Sequence, residues 1–168
     1  NEAIQRMRDH NLTNEKDISD YQPFSTLTRE QAAKMFTQFA KALNFKPISW
    51  ETNQCNFKDL SKADKNLKSS VEEACKRGLM QGNNSVFGPQ LPLTKAQFIT
   101  MLIRLSENKK LDESWNPWRS AYFQKAKELW ILNNEDALTF EAPITRYEAA
   151  LLFFRFQVKQ KIISILKP

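Results

Sequence analysis

Apolar positions along this chain recur in a fixed phase behind a short polar signal. Counted from Thr28, Thr94 and Thr145, the same offsets of 4, 8 and 11 give Ala32, Phe36 and Phe39, then Phe98, Leu102 and Leu105, then Ala149, Phe153 and Phe156. That spacing is one face of an α-helix, written three times. Each stripe opens on a matching hexapeptide, running from Leu27 to Ala32, from Leu93 to Phe98 and from Ile144 to Ala149. An aliphatic residue precedes each Thr, and Gln31, Gln97 or Glu148 stands three residues after it. The pattern is a capping box: the hydroxyl accepts from the third helical N–H while the Gln or Glu side chain accepts from the Thr N–H. Each Thr therefore starts a helix, and losing such a cap costs about 1 kcal/mol. Three unrelated amphipathic helices would explain the caps and the stripes separately but not their common phase, so the chain reads as internal repeats.

Between the stripes the pattern predicts a second, shorter helix per unit. Residues 3–12 carry Ile4 and Met7 inward and stop near Asn11, with the only His, His10, as a capping or surface residue at that end. A helix through Val71 and Ala74 stops at Gly78, and a third runs through Phe123 and Ala126 to Trp130 and Ile131. An aromatic stands seven residues before the Thr in two units, Tyr21 and Phe87, and is expected to plug its loop onto the core. Trp50, Trp115, Trp118 and Trp130 read by default as core or loop fillers too. The connector over 44–66 is too long to be structureless and should hold local order. The stripe behind Thr145 continues through Ile163 and Leu166, which predicts that the last helix is the longest.

Composition sharpens the fold class. The chain has 168 residues, enough for one domain with a real core, and only three Gly against seven Pro. The expectation is an all-α fold. A net charge of +6 is spread among mixed acids and bases, as on a solvated face, and only the end from Arg155 through Lys159, Lys161 and Lys167 is basic without an intervening acid. No apolar run is long enough to span a bilayer. No signal peptide is visible, and an opening of Asn1-Glu2-Ala3 reads as a processed or excised fragment.

The ordered set Phe57-Lys58-Asp59, the helix end from Ala74 to Gly78, Leu79-Met80-Gln81-Gly82, Phe87-Gly88-Pro89 and Leu93-Thr94-Lys95-Ala96-Gln97 resembles an S-layer homology repeat. The whole chain resembles a module of three such repeats, at about 1–43, 55–106 and 115–158, with a helical extension to 167. The resemblance implies a pseudo-threefold helical bundle whose inter-repeat grooves bind anionic, often pyruvylated, cell-wall glycan. It implies a non-catalytic role in anchoring an envelope protein, located outside the cell at the surface or in the periplasm. The implied partner is a cell-wall polysaccharide or peptidoglycan-linked polymer, with other envelope proteins as further candidates, and no cofactor or metal. By the same resemblance Arg29, Lys95 and Arg146 are glycan ligands, joined by Gly82 and Trp118.

A cation directly after the cap opposes the helix dipole, which itself favours a ligand role for Arg29, Lys95 and Arg146. Lys95 keeps the charge but lacks the planar fork that grips a carboxylate twice, so it marks a weaker site. All three glycines, Gly78, Gly82 and Gly88, fall in the middle unit, whereas Thr13-Asn14 and Asn133-Asn134 occupy the corresponding loops. An exported protein meets an oxidising compartment, so Cys55 and Cys75, the only two cysteines, are expected to be disulfide-bonded, the alternative being two free buried thiols. One His and two Cys cannot build a usual zinc site, and no phosphate loop, dinucleotide fingerprint or nucleophile elbow occurs, so enzyme chemistry finds no support. A second reading keeps the bundle as a structural or protein-interaction module that has lost glycan binding, which the missing glycines favour. Nucleic-acid binding ranks last, because the basic end alternates with Phe156, Val158, Ile162 and Ile163 as a buried helix face would.

Overall fold

The computed structural model describes residues 2–9, 18–48, 55–114, 117–133 and 139–166. His10, Asn11, Thr13, Asn14, Trp50, Trp115, Asn134 and Lys167, each of which carried an expectation, lie outside the described residues. Within them the chain is helical: α1 Glu2–Asp9, α2 Ile18–Tyr21, α3 Arg29–Ala42, α4 Lys68–Lys76, α5 Lys95–Glu107, α6 Ser120–Glu128 and α7 Arg146–Leu166, with a 3-10 turn at Leu60–Lys62 in the second connector. No strand is present among the described residues, only isolated bridges.

The long helices start where the boxes place them. Thr28 and Thr94 are extended, at φ −80° and −81°, and cap α3 and α5 with reciprocal bonds to Gln31 and Gln97. At α7 the Glu148 N–H donates to the Thr145 hydroxyl at 3.2 Å, and Glu148 accepts from the Thr145 N–H at 2.9 Å. α7 spans 21 residues and is the longest of the described helices.

Each short helix packs on a long one from a different unit: α4 on α3, α6 on α5, and α1 on α7. α5 also touches α7 and α3. Phe36, Phe98 and Phe153, one from each capped helix and all buried, meet at the centre with ring centroids 4.9, 5.0 and 5.2 Å apart. Edge-on and tilted pairs of this kind add to the area they bury. Tyr21 and Phe87, the aromatics ahead of the caps, are buried as well.

A ring of backbone hydrogen bonds joins the three residues before the caps. Leu27 N–H donates to Ile144 at 2.9 Å, Ile144 to Leu93 at 2.8 Å, and Leu93 to Leu27 at 2.8 Å. The first helical N–H groups, which have no partner within their own helix, find carbonyls in the loop of another unit: Arg29 bonds Leu91, Lys95 bonds Ala142 and Arg146 bonds Ser25, all at 2.9–3.0 Å. Every long-helix start is thereby seated against a neighbouring loop. In the second unit Cys55 is disulfide-bonded to Cys75, with their Cα atoms 5.7 Å apart.

Trp130 departs from the default expectation for a Trp. It fills no core gap: it is 80% exposed at the end of α6. The reason is local. Its backbone occupies the position that ends the helix, where the side chain is turned outward.

Candidate functional site

Because Arg29 is the first residue of α3 and its N–H is bonded to Leu91, its side chain is delivered into the loop that follows α4. There Nε donates to the Phe87 carbonyl at 2.8 Å and Nη2 to the Gln81 carbonyl at 2.8 Å. The guanidinium also lies over the Phe87 ring, 4.7 Å from its centroid, a favourable position for a cation on a π face. Burial lowers the guanidinium pKa, an effect opposed by the Asp59 carboxylate, and Arg remains charged at any ordinary pH.

Asp59 explains why its motif precedes the groove. Its two oxygens accept from the Phe87 and Gly88 amides at 2.9 and 2.7 Å, fixing the loop on which Arg29 rests. Desolvation pushes this carboxyl up, but the amide bonds and Lys62 outweigh it and hold the pKa below the usual value. Gly82 sits in the same loop, where an added Cβ would lie 2.6 Å from the Phe57 ring and 2.6 Å from the Val86 carbonyl oxygen. Only Gly permits that approach.

Two openings flank Arg29. One, of about 430 Å3, is lined by Gln81, Gly82, Phe87, Leu91 and Gln97 together with Arg29. The other, of about 220 Å3, brings Arg29 together with Gln97, Arg104, Glu113 and Trp118. Trp118 is 39% exposed and edge-on to Tyr122, with ring centroids 6.2 Å apart. Behind it lies a polar cluster that the sequence did not point to. Arg104 donates to the Leu79 carbonyl at 3.0 Å and to Glu113 at 2.9 Å, while the Tyr122 hydroxyl donates to Glu113 at 2.7 Å. Burial raises the Tyr122 pKa, and Glu113 is held low because its bonds to Lys110, Tyr122 and Arg104 outweigh its desolvation.

The structure therefore brings Arg29, Gly82 and Trp118 to one region, from three distant parts of the chain, and leaves the other two cations elsewhere. Lys95 Nζ is 2.5 Å from Glu148 Oε1 and donates to Thr139 Oγ1 at 2.8 Å. Glu148 is thus both the box residue of α7 and the partner of Lys95. Desolvation raises its pKa, but the bonds from Lys95 and Thr145 prevail and hold it below the ordinary 4.5. Arg146 lies 4.7 Å over the ring of Tyr21, whose hydroxyl donates to the Arg146 carbonyl at 2.9 Å. Burial, offset in part by Arg146, raises the Tyr21 pKa to about 12. The aromatic seven residues before the cap is thus the seat for a cation from a distant part of the chain in two cases.

No group of three or more metal-ligating side chains occurs among the described residues, and no described helix is long and apolar enough to cross a membrane.

The segment that carries Asp59, Gly82, Phe87 and Lys95 is also where relatives are recognised. Residues 56–99 match the S-layer homology domain. Over 92% of its length the chain is also 26% identical to the surface-layer 125 kDa protein of Lysinibacillus sphaericus. It spans only 14% of that protein.

Proposed function

We propose that the chain is a module of three tandem S-layer homology repeats, closed into a pseudo-threefold bundle, that anchors an envelope protein to an anionic cell-wall glycan. The observation that carries this reading is Arg29: a cation from one unit seated in the glycine-bearing loop of the next, beside two openings and an exposed Trp118. The ring of bonds through Leu27, Leu93 and Ile144 supports the closure, and the match over residues 56–99 supports the wall as the destination. A carboxylate entering beside Gly82 meets a guanidinium already oriented by two carbonyls, and charge-assisted bonds to it contribute about 1.5–3 kcal/mol each. Gly82 lets the Phe57 ring and the Val86 carbonyl close on the loop that floors this opening, and Trp118 offers a ring face at the far side. Arg146 supplies a second groove. Lys95, paired with Glu148, supplies the weakest.

Co-sedimentation with purified wall sacculi tests this, before and after removal of their acidic polymer. The parent should pellet with intact sacculi and stay in solution with stripped ones. Arg29→Ala should weaken binding by about one to two orders of magnitude. Since Arg29 also holds Phe87 and Gln81, circular dichroism must show the variant folded, and Arg29→Lys, which keeps the charge without the fork, should bind with intermediate strength. Lys109→Ala, at an exposed cation that lines neither opening, makes the same charge change and should bind as the parent does. Folded Arg29→Ala that binds intact sacculi normally would refute the groove.

A further inference from the structure

The end of α6 repeats the end of α4 bond for bond. Gly78 N–H donates to Cys75 at 2.8 Å and Leu79 N–H to Ala74 at 2.9 Å; Trp130 N–H donates to Lys127 at 2.9 Å and Ile131 N–H to Ala126 at 2.9 Å. Trp130 therefore stands where the middle unit has Gly78, and both backbones are left-handed, at φ +58° and +71°. Glycine occupies that conformation without strain, while a residue with a Cβ does not. The chain thus holds a Trp at a position whose backbone disfavours any side chain, and presents it to solvent at 80% exposure. Packing does not explain this. Strain kept at an exposed aromatic points to a ligand.

The surroundings indicate its chemistry. Trp130 lines a cavity of about 400 Å3 with Lys127, Leu132, Asn133 and Arg155. Arg155 on α7 is aimed across it by a bond from Nη1 to the Ile131 carbonyl at 3.2 Å. The described lining is thus an indole face, the Leu132 side chain, an amide and two cations. An indole presents a flat apolar face with a polar N–H edge, which fits the C–H face of a pyranose, and the two cations fit its acid groups.

We infer that Trp130, Lys127 and Arg155 form a second carbohydrate site, in which a sugar ring of an acidic polysaccharide stacks on the Trp130 indole. The site rests on the wall-anchoring reading and extends it: a polymer held at Arg29 by one residue is held at Trp130 by another, which raises the effective concentration of each contact.

Trp130→Gly separates the ligand role from a structural one, because the two predict opposite changes. Relief of the left-handed strain should raise the melting temperature by about 1–3 °C. Loss of the stacking face should at the same time weaken binding to intact sacculi about 5- to 10-fold, within the range that base–aromatic stacking shows elsewhere. Trp130→Phe, which keeps a flat ring, should retain most of the affinity. A Trp130→Gly chain that binds normally overturns the site, and so does one that melts lower and binds weaker, since the indole would then be structural. Sedimentation velocity that shows a parent dimer abolished in Trp130→Gly, with sacculus binding kept, assigns the indole to a second copy and also overturns it. The outcomes remain distinct from failure of the primary groove. Arg29→Ala losing binding while Trp130→Gly keeps it leaves the groove standing alone, whereas a parent that ignores sacculi removes both.

Discussion

Replacing Glu148 by Gln makes the third box like the other two. Gln31 and Gln97 already accept from their Thr N–H groups at 3.1 and 3.2 Å, so an amide in place of the Glu148 carboxylate can keep the cap of α7 and lose only the ion pair with Lys95. The pair is partly shielded, with side chains 20% and 33% exposed. Exposed pairs contribute about 0.2–1 kcal/mol, and the short, charge-assisted contact places this one near the top of that range. The expected loss in a chain of this size is about 2–4 °C in Tm at neutral pH. The sign with pH follows from the carboxyl. Held below the ordinary 4.5 in the folded state, it contributes stability above that value, and the contribution disappears as pH falls through its folded pKa. Calorimetric melts of parent and Glu148→Gln should therefore differ at neutral pH, converge in acid and converge again in high salt. The same substitution frees Lys95 for an external anion, so binding to acidic sacculi should rise a few-fold. Equal melting temperatures at neutral pH, or a gap that survives in acid and salt, would show that the pair does not couple α5 to α7 in this way.

Two further substitutions probe the second unit. Gly82→Ala drives a methyl group against the Phe57 ring and the Val86 carbonyl; overpacking of this kind costs about 1–3 kcal/mol, to be read as a fall in denaturation midpoint together with weaker wall binding. Opening the Cys55–Cys75 bridge with a reductant releases a loop of sequence separation 20, worth about 3 kcal/mol in the chain-entropy treatment, so reduced protein should melt about 6–12 °C lower, with mass spectrometry confirming two alkylatable thiols only after reduction.

The features that could be read from sequence are those decided within a few residues. A Thr and an acceptor three positions on must cap whatever helix follows, and Phe36, Phe98 and Phe153 lie on the apolar face of their helices wherever those helices pack. Their meeting at one centre was not legible, since it depends on how three units close. Neither were the partners of the cations. Arg29 reaches carbonyls 52 and 58 residues away, and no local pattern distinguishes a cation that rests on Phe87 from one captured by a carboxylate. The cluster of Arg104, Tyr122 and Glu113 is hidden for a related reason: in the helical pattern Arg104 is a charge on α5, and only the arrival of Leu79 and Tyr122 makes it a buried donor with partners. Trp130 defeats the sequence pattern because composition treats Trp as a core residue, while its exposure is set by the left-handed helix end beneath it. Gly78, at the matching position, holds the clue.

One backbone arrangement thus carries three different side-chain outcomes. The ring through Leu27, Leu93 and Ile144 and the bonds from Arg29, Lys95 and Arg146 to neighbouring loops are made by main-chain atoms, which any sequence with the same caps and turns can supply. Side chains at the grooves can therefore diverge while the main-chain ring persists: Arg29 rests on Phe87, Arg146 on Tyr21, and Lys95 is bound by Glu148. Glu rather than Gln at the third box places a carboxylate of the chain beside Lys95, which under the proposed reading would otherwise meet a carboxylate of the glycan. Competition of that kind sets groove affinity by a single residue, because an internal carboxylate has no translational freedom to lose on pairing. Glu148 and the exposed Trp130 lie in the same stretch of the chain, so under the proposed reading an aromatic stacking face would stand beyond a groove whose cation is already paired.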